Sequence, residues 1–297
     1  MRFEGLTIIT PTGKTPILEV DRLNPYILTG GSPGRIEKVV KFLQNSTTIK
    51  SERGHIVVNG LYDDIRVSAV SIGMGPSSAA ILLPEIIESA EGKFIVMLRL
   101  GTAGSLQPYV KKGHLHIPTA AVRDEGATQA IVGPEYPAVA SLEIIPIMVA
   151  AAEKYGYKLN ENLWLGPVHT KDDLYFKETP QFSPRRNELL SRLRAYKEMG
   201  VVSSEMEFST YCILRDYYER YLNKRILTGC ILAIISEPQE EGRIDITGVN
   251  VSEIEEDLIK IGLQTFKMID SLTKGEKVEL DDVIRKMLVV PPRCFVD

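Results

Sequence analysis

Short apolar runs alternate along the chain with longer segments in which apolar residues recur every three or four positions. The short runs predict strands near 25–29, 65–72, 94–100, 114–122, 163–169 and 226–235. The longer segments predict helices near 33–45, 76–90, 138–155, 185–197, 204–222 and 252–273. Because strands that alternate with helices are typical of an α/β sheet with helices on both faces, we predict three α/β/α layers around a mixed, twisted central sheet.

No linker-like change of composition interrupts this series, so we predict one domain over residues 1–297. The stretch 274–297 is charged at first and ends in an apolar run. Its amphipathic portion, Leu280 to Val290, predicts a short helix, and we expect this C-terminal extension to pack on the body of the domain.

Composition excludes some function classes. The chain has 35 Lys plus Arg and 39 Asp plus Glu, a formal net charge of −4, which does not favour a nucleic-acid partner. Cys212, Cys230 and Cys294 are widely spaced, so a disulfide framework or a zinc site is not expected and a reducing compartment fits. Because no apolar signal core and no run of about eighteen apolar residues occurs, we expect a cytoplasmic protein with no membrane partner.

The most informative stretch is residues 94–105 (FIVMLRLGTAGS), an apolar strand that carries one arginine near its end. The Arg99 guanidinium stays charged, and its burial is costly unless an anion pairs with it. The small residues that follow let the backbone approach closely, and the Thr102 and Ser105 hydroxyls suit a phosphate or a carboxylate. We therefore predict an anion-binding site at this strand end.

Residues 26–35 (YILTGGSPGR) are a second candidate for anion binding. They predict a strand, a glycine turn, and a helix with Ser32 as N-cap and Pro33 in its first turn. Free N–H groups at such a helix start, with Arg35 one turn in, can cradle a phosphate. The spacings of a dinucleotide fold and of a P-loop are both absent, so the expected ligand is a small free oxyanion; a helix start capped only for stability is the alternative.

Residues 203–209 (SSEMEFS) place two acids around a methionine at the start of an apolar helix. Acids favour a helix N-terminus, which explains one of them but explains two less well. A carboxylate also accepts hydrogen bonds from paired hydroxyls such as a ribose diol, and Met206 offers an adaptable apolar surface for the sugar.

Together, these segments resemble the nucleoside phosphorylase superfamily of the hexameric type, and within it the uridine phosphorylases. Residues 31–35 (GSPGR) are similar to the G-D-P-x-R turn of the family, residues 99–108 (RLGTAGSLQP) to its R-x-G-T-x-G-x-x-Q-P loop, and residues 205–207 to its E-M-E signature. Residues 72–77 (IGMGPS) and 135–140 (EYPAVA) resemble its G-x-G-x-P-S and F-P-A-V-A segments. The five motifs keep the family order, which implies the phosphorylase/hydrolase-like fold.

The resemblance also implies the chemistry and the residues that perform it. The reaction would be phosphorolysis by a pentosyltransferase, in which phosphate attacks the anomeric carbon as the N-glycosidic bond breaks, with Arg99 and Glu207 as catalytic residues. Inorganic phosphate would be the co-substrate, with no organic cofactor and no metal. The phosphate-binding residues would be Gly31, Arg35, Arg53, Arg99 and Thr102, with Arg53 contributed by a neighbouring subunit of a homodimer or hexamer. The ribose-binding residues would be Glu205, Met206 and Glu207.

Base recognition is where the chain departs from the family pattern. Residues 170–180 (TKDDLYFKETP) resemble the form S-K-D-x-F-Y-G-Q-x-S-P of the uridine enzymes, with Leu174 in place of the aromatic that stacks on the base. Lys177 takes the place of the uracil-reading glutamine, and a lysine cannot both donate and accept hydrogen bonds as an amide does. Glu237 lies about where purine enzymes carry an aspartate, and a solvated strand end is the alternative reading. Leu174, Lys177 and Glu237 are thus the predicted base-binding residues.

Two histidines provide a further candidate. His114 and His116 alternate on a predicted strand and would face one side together. Without a third ligand nearby, we predict ordinary strand-surface histidines rather than a metal pair.

The expected function is reversible phosphorolysis of uridine to uracil and ribose 1-phosphate. A purine nucleoside or methylthioadenosine phosphorylase is the nearest alternative, supported by Glu237 and by the missing glutamine. A nucleosidase would use water, but the set Arg35, Arg53 and Arg99 favours a bound anion. A non-catalytic nucleoside-binding protein is the alternative from another class, and it would need no bound nucleophile.

Overall fold

A mixed sheet runs through the computed structural model, which describes residues 3–4, 9–237 and 244–288. The strands of the protein are β1 (Phe3–Glu4), β2 (Ile9–Thr10), β3 (Tyr26–Gly30), β4 (Gln44–Lys50), β5 (Ile56–Tyr62), β6 (Ile65–Ser71), β7 (Phe94–Ser105), β8 (Leu115–Asp124), β9 (Ala138–Val139), β10 (Leu163–Lys171), β11 (Ser203–Glu205) and β12 (Arg225–Ser236). Its α-helices are α1 (Pro33–Glu37), α2 (Pro76–Ser89), α3 (Gly126–Gln129), α4 (Ile145–Glu153), α5 (Tyr175–Glu178), α6 (Arg186–Glu198), α7 (Phe208–Leu222), α8 (Val251–Thr273) and α9 (Asp281–Leu288). Short 3₁₀ helices cover Lys38–Phe42, Leu142–Ile144 and Pro180–Phe182.

The strands of the main sheet follow the order β11-β10-β8-β12-β7-β3-β6-β5-β4, while β1 and β2 pair with each other. The central pairs β3–β7 and β7–β12 are parallel, and β8–β12 is antiparallel, so the sheet is mixed as predicted. The short strand β11 pairs with β10 and also, antiparallel, with β7. One half of the sheet therefore closes on itself, and this closure brings β10 and β11 to the end of β7.

Two neighbouring residues of β3 show that helices cover both faces of this sheet. A Cβ at Gly262 of α8 would lie 2.8 Å from the Leu28 side chain, so α8 packs closely on one face. The next side chain, Thr29, meets the Tyr211 hydroxyl of α7 at 2.6 Å. Because successive side chains of a strand point to opposite faces, α8 and α7 lie on opposite sides, and the predicted three layers are confirmed.

The six predicted strands are all present, but β4 and β5 were not predicted. The prediction of a helix over 33–45 was wrong in its last part, because α1 ends at Glu37, a 3₁₀ helix continues to Phe42, and β4 begins at Gln44. Strand β4 (QNSTTIK) is largely exposed at the sheet edge, so it lacks the alternation of apolar residues that marks a half-buried strand.

Two other predicted helices begin later than expected. In the segment 138–155, β9 and a 3₁₀ helix come first and α4 starts at Ile145, directly before Pro146, which lacks a backbone N–H and fits only the first turn. In the segment 204–222, residues up to Glu205 form β11 and α7 starts at Phe208. The helices predicted over 76–90, 185–197 and 252–273 are confirmed.

The described part of the C-terminal stretch contains the predicted short helix, α9. Val283 of this helix is buried, and the Lys286 ammonium donates to the Glu153 carboxylate of α4 at 3.0 Å. Residues 289–297, which include Cys294, lie outside the described part of the chain. No described helix is long and apolar enough to span a membrane.

His116 corrects the expectation of two surface histidines. Its side chain is fully buried in β8, where Nδ1 lies 2.7 Å from the Ser203 hydroxyl and Nε2 lies 3.1 Å from the Gly166 carbonyl. Burial lowers the pKa of His116 from 6.5 to about 3, so the ring is neutral, with its proton on Nε2 and Nδ1 as acceptor. Among the described residues, no group of three or more His, Cys, Asp or Glu is arranged to hold a metal ion.

The buried neutral His116 predicts a pH-dependent stability. Below pH 6.5 the unfolded chain takes up a proton that the folded ring does not accept, so the free energy of unfolding should fall as the pH drops toward 3. His116→Gln keeps one donor and one acceptor but does not titrate. Between pH 7.5 and pH 5.5, the free energy of unfolding measured with urea should fall less for the variant than for the wild type. Equal decreases would contradict the role of His116.

Candidate functional site

A cavity of ≈ 470 Å³ opens beside the last residues of β7, β10 and β12 and the turn after β3. Its size is within the usual range for small-molecule sites. Eight of the predicted site residues line it, namely Gly31, Arg35, Arg99, Thr102, Leu174, Glu205, Met206 and Glu207. The glycine turn, the arginine strand and the two-acid segment are therefore brought to one place, although they are far apart in the chain.

The centre of this cavity is a buried ion cluster around Arg99. Its guanidinium lies 3.0 Å from the Glu205 carboxylate and also forms a short ion pair with Glu207. Burial alone lowers the pKa of Arg99, but Glu207 and Glu205 outweigh it and raise that pKa above the usual value. The anion that the buried arginine required is thus provided, within the described chain, by two carboxylates of its own.

The two acids have different partners. Glu205 accepts hydrogen bonds from the backbone N–H groups of Glu207 and Phe208 at 2.8 and 3.0 Å, and from the Thr170 hydroxyl at 2.5 Å. These bonds satisfy free N–H groups at the start of α7, so Glu205 has the capping role that the sequence allowed for one acid.

Glu207 lines the same cavity but has fewer protein partners than Glu205. Its carboxylate accepts the backbone N–H of Gly75 at 2.6 Å and the ion pair from Arg99. Burial raises the pKa of Glu207, and the positive charge of Arg99 offsets only part of this effect. A buried carboxylate with unused acceptor capacity, next to the exposed Met74 side chain, can accept hydrogen bonds from a ligand.

Arg35 is held at the cavity by groups from two elements. Its guanidinium donates to the Leu100 carbonyl at 2.8 Å and pairs with Glu255 of α8 at 2.9 Å. Ser32 occupies the N-cap position of α1 as predicted, but its side chain makes no capping hydrogen bond. Gly31 is required for close approach, because a Cβ there would lie 2.9 Å from the Gly73 carbonyl oxygen.

Two of the three predicted base-binding residues do not line the cavity. The Lys177 ammonium donates to the Asp124 carbonyl at 2.6 Å and pairs with Asp172 at 2.8 Å. Glu237 accepts the backbone N–H of Lys112 at 3.0 Å beside the partly exposed Lys111. Both charges are therefore used by the protein away from the cavity, and only Leu174 is brought to it.

Lys171 and Glu178 line the cavity instead, and sequence reasoning missed both. Lys171 is the last residue of β10, just beyond the apolar run that predicted this strand. Glu178 lies three positions after Tyr175, which also lines the cavity, whereas Lys177 points about 100° away around the same helical turn. The helical spacing from Leu174 and Tyr175 was the signal that could have selected Glu178.

Arg53 lies in the exposed turn between β4 and β5, where Gly54 has a φ of 83°. It does not line the cavity of its own chain. A residue at an exposed hairpin tip can contact a second molecule. Contribution of Arg53 to a neighbouring site would require such a position.

Residues 25–219 match the family model described as the phosphorylase superfamily. The chain belongs to this superfamily. It is 26% identical over 252 residues to a uridine phosphorylase of Treponema pallidum (strain Nichols), covering 85% of this chain and 92% of the relative. It is 31% identical over 218 residues to a uridine phosphorylase of Thermococcus kodakarensis, covering 71% and 72%.

A solved structure gives the same fold. The purine nucleoside phosphorylase from Toxoplasma gondii in complex with immucillin-H aligns with a TM-score of 0.72 and 25% identity, over 87% of this chain and 97% of that chain. Family and fold thus agree with the resemblance carried by the five sequence motifs. Uridine and purine enzymes both occur among the relatives, so the relatives alone do not choose the base.

The capping role of Glu205 leads to a stability prediction. Glu205→Gln removes one charge from the buried cluster and places an amide among hydrogen-bond donors, so we expect a loss of roughly 3 kcal/mol in the free energy of unfolding. Glu237→Gln is the matched control, because its exposed ion pair with Lys111 contributes about 1 kcal/mol or less. Urea unfolding of both variants measures the difference, and similar midpoints would refute the structural role of Glu205.

Proposed function

We propose that this protein catalyses the reversible phosphorolysis of uridine to uracil and ribose 1-phosphate. The observation that carries the proposal is that the Arg99 guanidinium lines the cavity and also pairs with Glu207. A cation that can hold phosphate lies directly beside a carboxylate that can hold the sugar hydroxyls. The order of the motifs and the uridine phosphorylases among the relatives support the choice of uridine.

In the proposed reaction, Gly31, Arg35, Arg99 and Thr102 hold the phosphate beneath the sugar ring. Phosphate oxygen forms a bond to the anomeric carbon while the bond from that carbon to the base nitrogen breaks, and the base leaves with the electron pair. Positive charge that develops on the sugar is stabilised by the phosphate anion, whose position is set by the arginines. Glu207 accepts hydrogen bonds from the ribose hydroxyls and so orients the anomeric carbon.

Charge at the cavity supports a site shared between subunits. Arg35 and Arg99 each face carboxylates, Glu255 on one side and Glu205 and Glu207 on the other. A phosphate dianion that enters beside these acids gains from a further cation. We propose that Arg53 of a second copy provides it, in a homodimer or an assembly of dimers.

A purine nucleoside phosphorylase is the second candidate, and the fold similarity to the Toxoplasma gondii enzyme favours it. The acid that supported a purine in the sequence, Glu237, instead bonds to Lys111 and Lys112 and does not line the cavity. This weakens the case for a purine and leaves uridine as the stronger proposal.

The test of this function is incubation of the purified protein with uridine, inosine or methylthioadenosine, each with and without phosphate, followed by chromatography of the free base. We expect uracil release that requires phosphate. Release of a purine base instead would favour the second candidate, and release without phosphate would identify a nucleosidase. Nucleoside binding with no base release under any condition would identify a non-catalytic binding protein.

The shared site predicts complementation between two inactive variants. Arg53→Ala and Glu207→Gln should each lose most uridine turnover, because each removes one half of a composite site. Mixed in equal amounts and allowed to exchange subunits, they should regain about one quarter of the wild-type activity, since half the dimers would be mixed and each would hold one intact site. Absence of any recovery, with subunit exchange shown by mass spectrometry, would argue against Arg53 acting across the interface.

A further inference from the structure

A chain of hydrogen bonds leads from the largely buried Asp124 side chain to the cavity wall. Asp124 Oδ2 lies 3.0 Å from Nε2 of His169, and Nδ1 of the same ring lies 3.1 Å from Oγ of Ser204. The Lys171 ammonium then donates to Ser204 Oγ at 2.5 Å and pairs with Glu178 at 2.6 Å. His169, Lys171 and Ser204 are at most 2% exposed, so the chain is sheltered from water along most of its length.

The donors and acceptors of this chain agree with one protonation state. Burial lowers the pKa of His169, which keeps the ring neutral. Asp124 accepts the proton on Nε2, so Nδ1 is an acceptor and receives the Ser204 O–H, which leaves the Ser204 lone pairs for Lys171. The order Asp–His–Ser is that of a hydrolase triad, but here the serine oxygen is engaged by an ammonium, which suits positioning rather than nucleophilic attack.

Lys171 and Glu178 have hydrogen-bonding capacity left for a ligand. Lys171 has three N–H groups, and described partners take two of them. Glu178 Oε2 faces Lys171, and no described residue donates to Oε1. Oε1 lies over Gly104, where a Cβ would collide with it, so glycine makes room for this carboxylate at the cavity wall.

The pair lies at a distance from the proposed phosphate site. Arg35 bonds the Leu100 carbonyl, and Glu178 contacts Gly104 four residues further along β7. Thr102, the residue of the proposed phosphate site that is nearest along β7, lies two residues before Gly104, which is about 7 Å at about 3.3 Å per residue and leaves room for a sugar between phosphate and base.

We propose that Lys171 and Glu178 read the nucleobase edge, and that Ser204, His169 and Asp124 position the Lys171 ammonium for this contact. The inference rests on the proposed function and names its base-reading group. The ammonium donates to a base carbonyl oxygen, and the neighbouring carboxylate accepts the adjacent ring N–H, as the O4 and N3–H groups of uracil require. A cation on that oxygen also stabilises the negative charge that the base acquires when it leaves.

The contact with Glu178 predicts rejection of 3-methyluridine, which has no N3–H. The wild type should prefer uridine over 3-methyluridine on the order of 100-fold in kcat/KM, because the analogue leaves a charged acceptor unpaired. Glu178→Ala should lose most of this preference. Lys171→Met should lower kcat/KM for uridine on the order of 100-fold while the KM for phosphate stays within about twofold.

The matched control is Lys267→Met, which removes a lysine that pairs with Asp63 at the surface and does not line the cavity. Its preference for uridine over 3-methyluridine and its kcat/KM for uridine should both stay within about twofold of the wild-type values. Thermal unfolding midpoints show which variants are folded. If Lys171→Met is not folded, the preference of Glu178→Ala for uridine over 3-methyluridine tests the proposal. A folded Glu178→Ala variant that keeps the full preference for uridine would overturn the proposal.

The positioning role of His169 is tested by a double-mutant cycle. If His169 acts through Lys171, then His169→Phe should lower kcat/KM for uridine, but adding it to Lys171→Met should cause little further loss. Its effect on the KM for phosphate should be small, whereas a general structural defect would change both kcat/KM for uridine and the KM for phosphate. Independent, additive losses would contradict the positioning role.

Failure of the proposed function can be told apart from failure of this inference. If the wild type releases no base from any nucleoside, the inference is tested by calorimetry with uracil and 3-methyluracil. Uracil should bind more tightly to the wild type, and Glu178→Ala should remove most of that difference. If a folded Glu178→Ala variant turns over uridine and keeps the wild-type preference for uridine over 3-methyluridine, the inference is wrong but the proposed function is not affected.

Discussion

The burial of Arg99 is the constraint on which the site depends. A guanidinium at the centre of a sheet is strongly unfavourable unless carboxylates neutralise it and satisfy its donors. Glu205 lies on β11, which pairs with the strand that carries Arg99, and Glu207 is the N-cap residue of α7. The ion cluster therefore connects the closure of the sheet, the start of α7 and the cavity in one arrangement.

Glu205 and Glu207 have different roles, although only Met206 separates them in the sequence. Glu205 is occupied by Arg99, the Thr170 hydroxyl and two backbone N–H groups, so it serves the fold. Both acids line the cavity, but Glu207 keeps acceptor capacity and is therefore available to a ligand. Because the capping acid is also a partner of Arg99, the stability of the fold and the geometry of the site rest on the same contacts.

Local pattern predicted the strongly apolar elements well, because burial on both faces demands continuous apolar runs. It failed at β4, whose exposed edge position places no such demand on its residues. It also did not show which side chain of the segment 170–180 reaches the cavity. In a four-residue helix, a shift of one position turns a side chain by about 100°, so Glu178 lines the cavity and its neighbour Lys177 does not.

The sequence by itself determined the fold class, the family motifs and the need of a buried Arg99 for an anion, since each depends on residue type and local spacing. The tertiary structure alone decided which groups meet that need and which charges reach the cavity. Arg99 and Glu205 are 106 positions apart, and Lys171 is separated from Ser204 by 33. Contacts over such separations arise from strand pairing and helix packing, and no local periodicity of the chain encodes them.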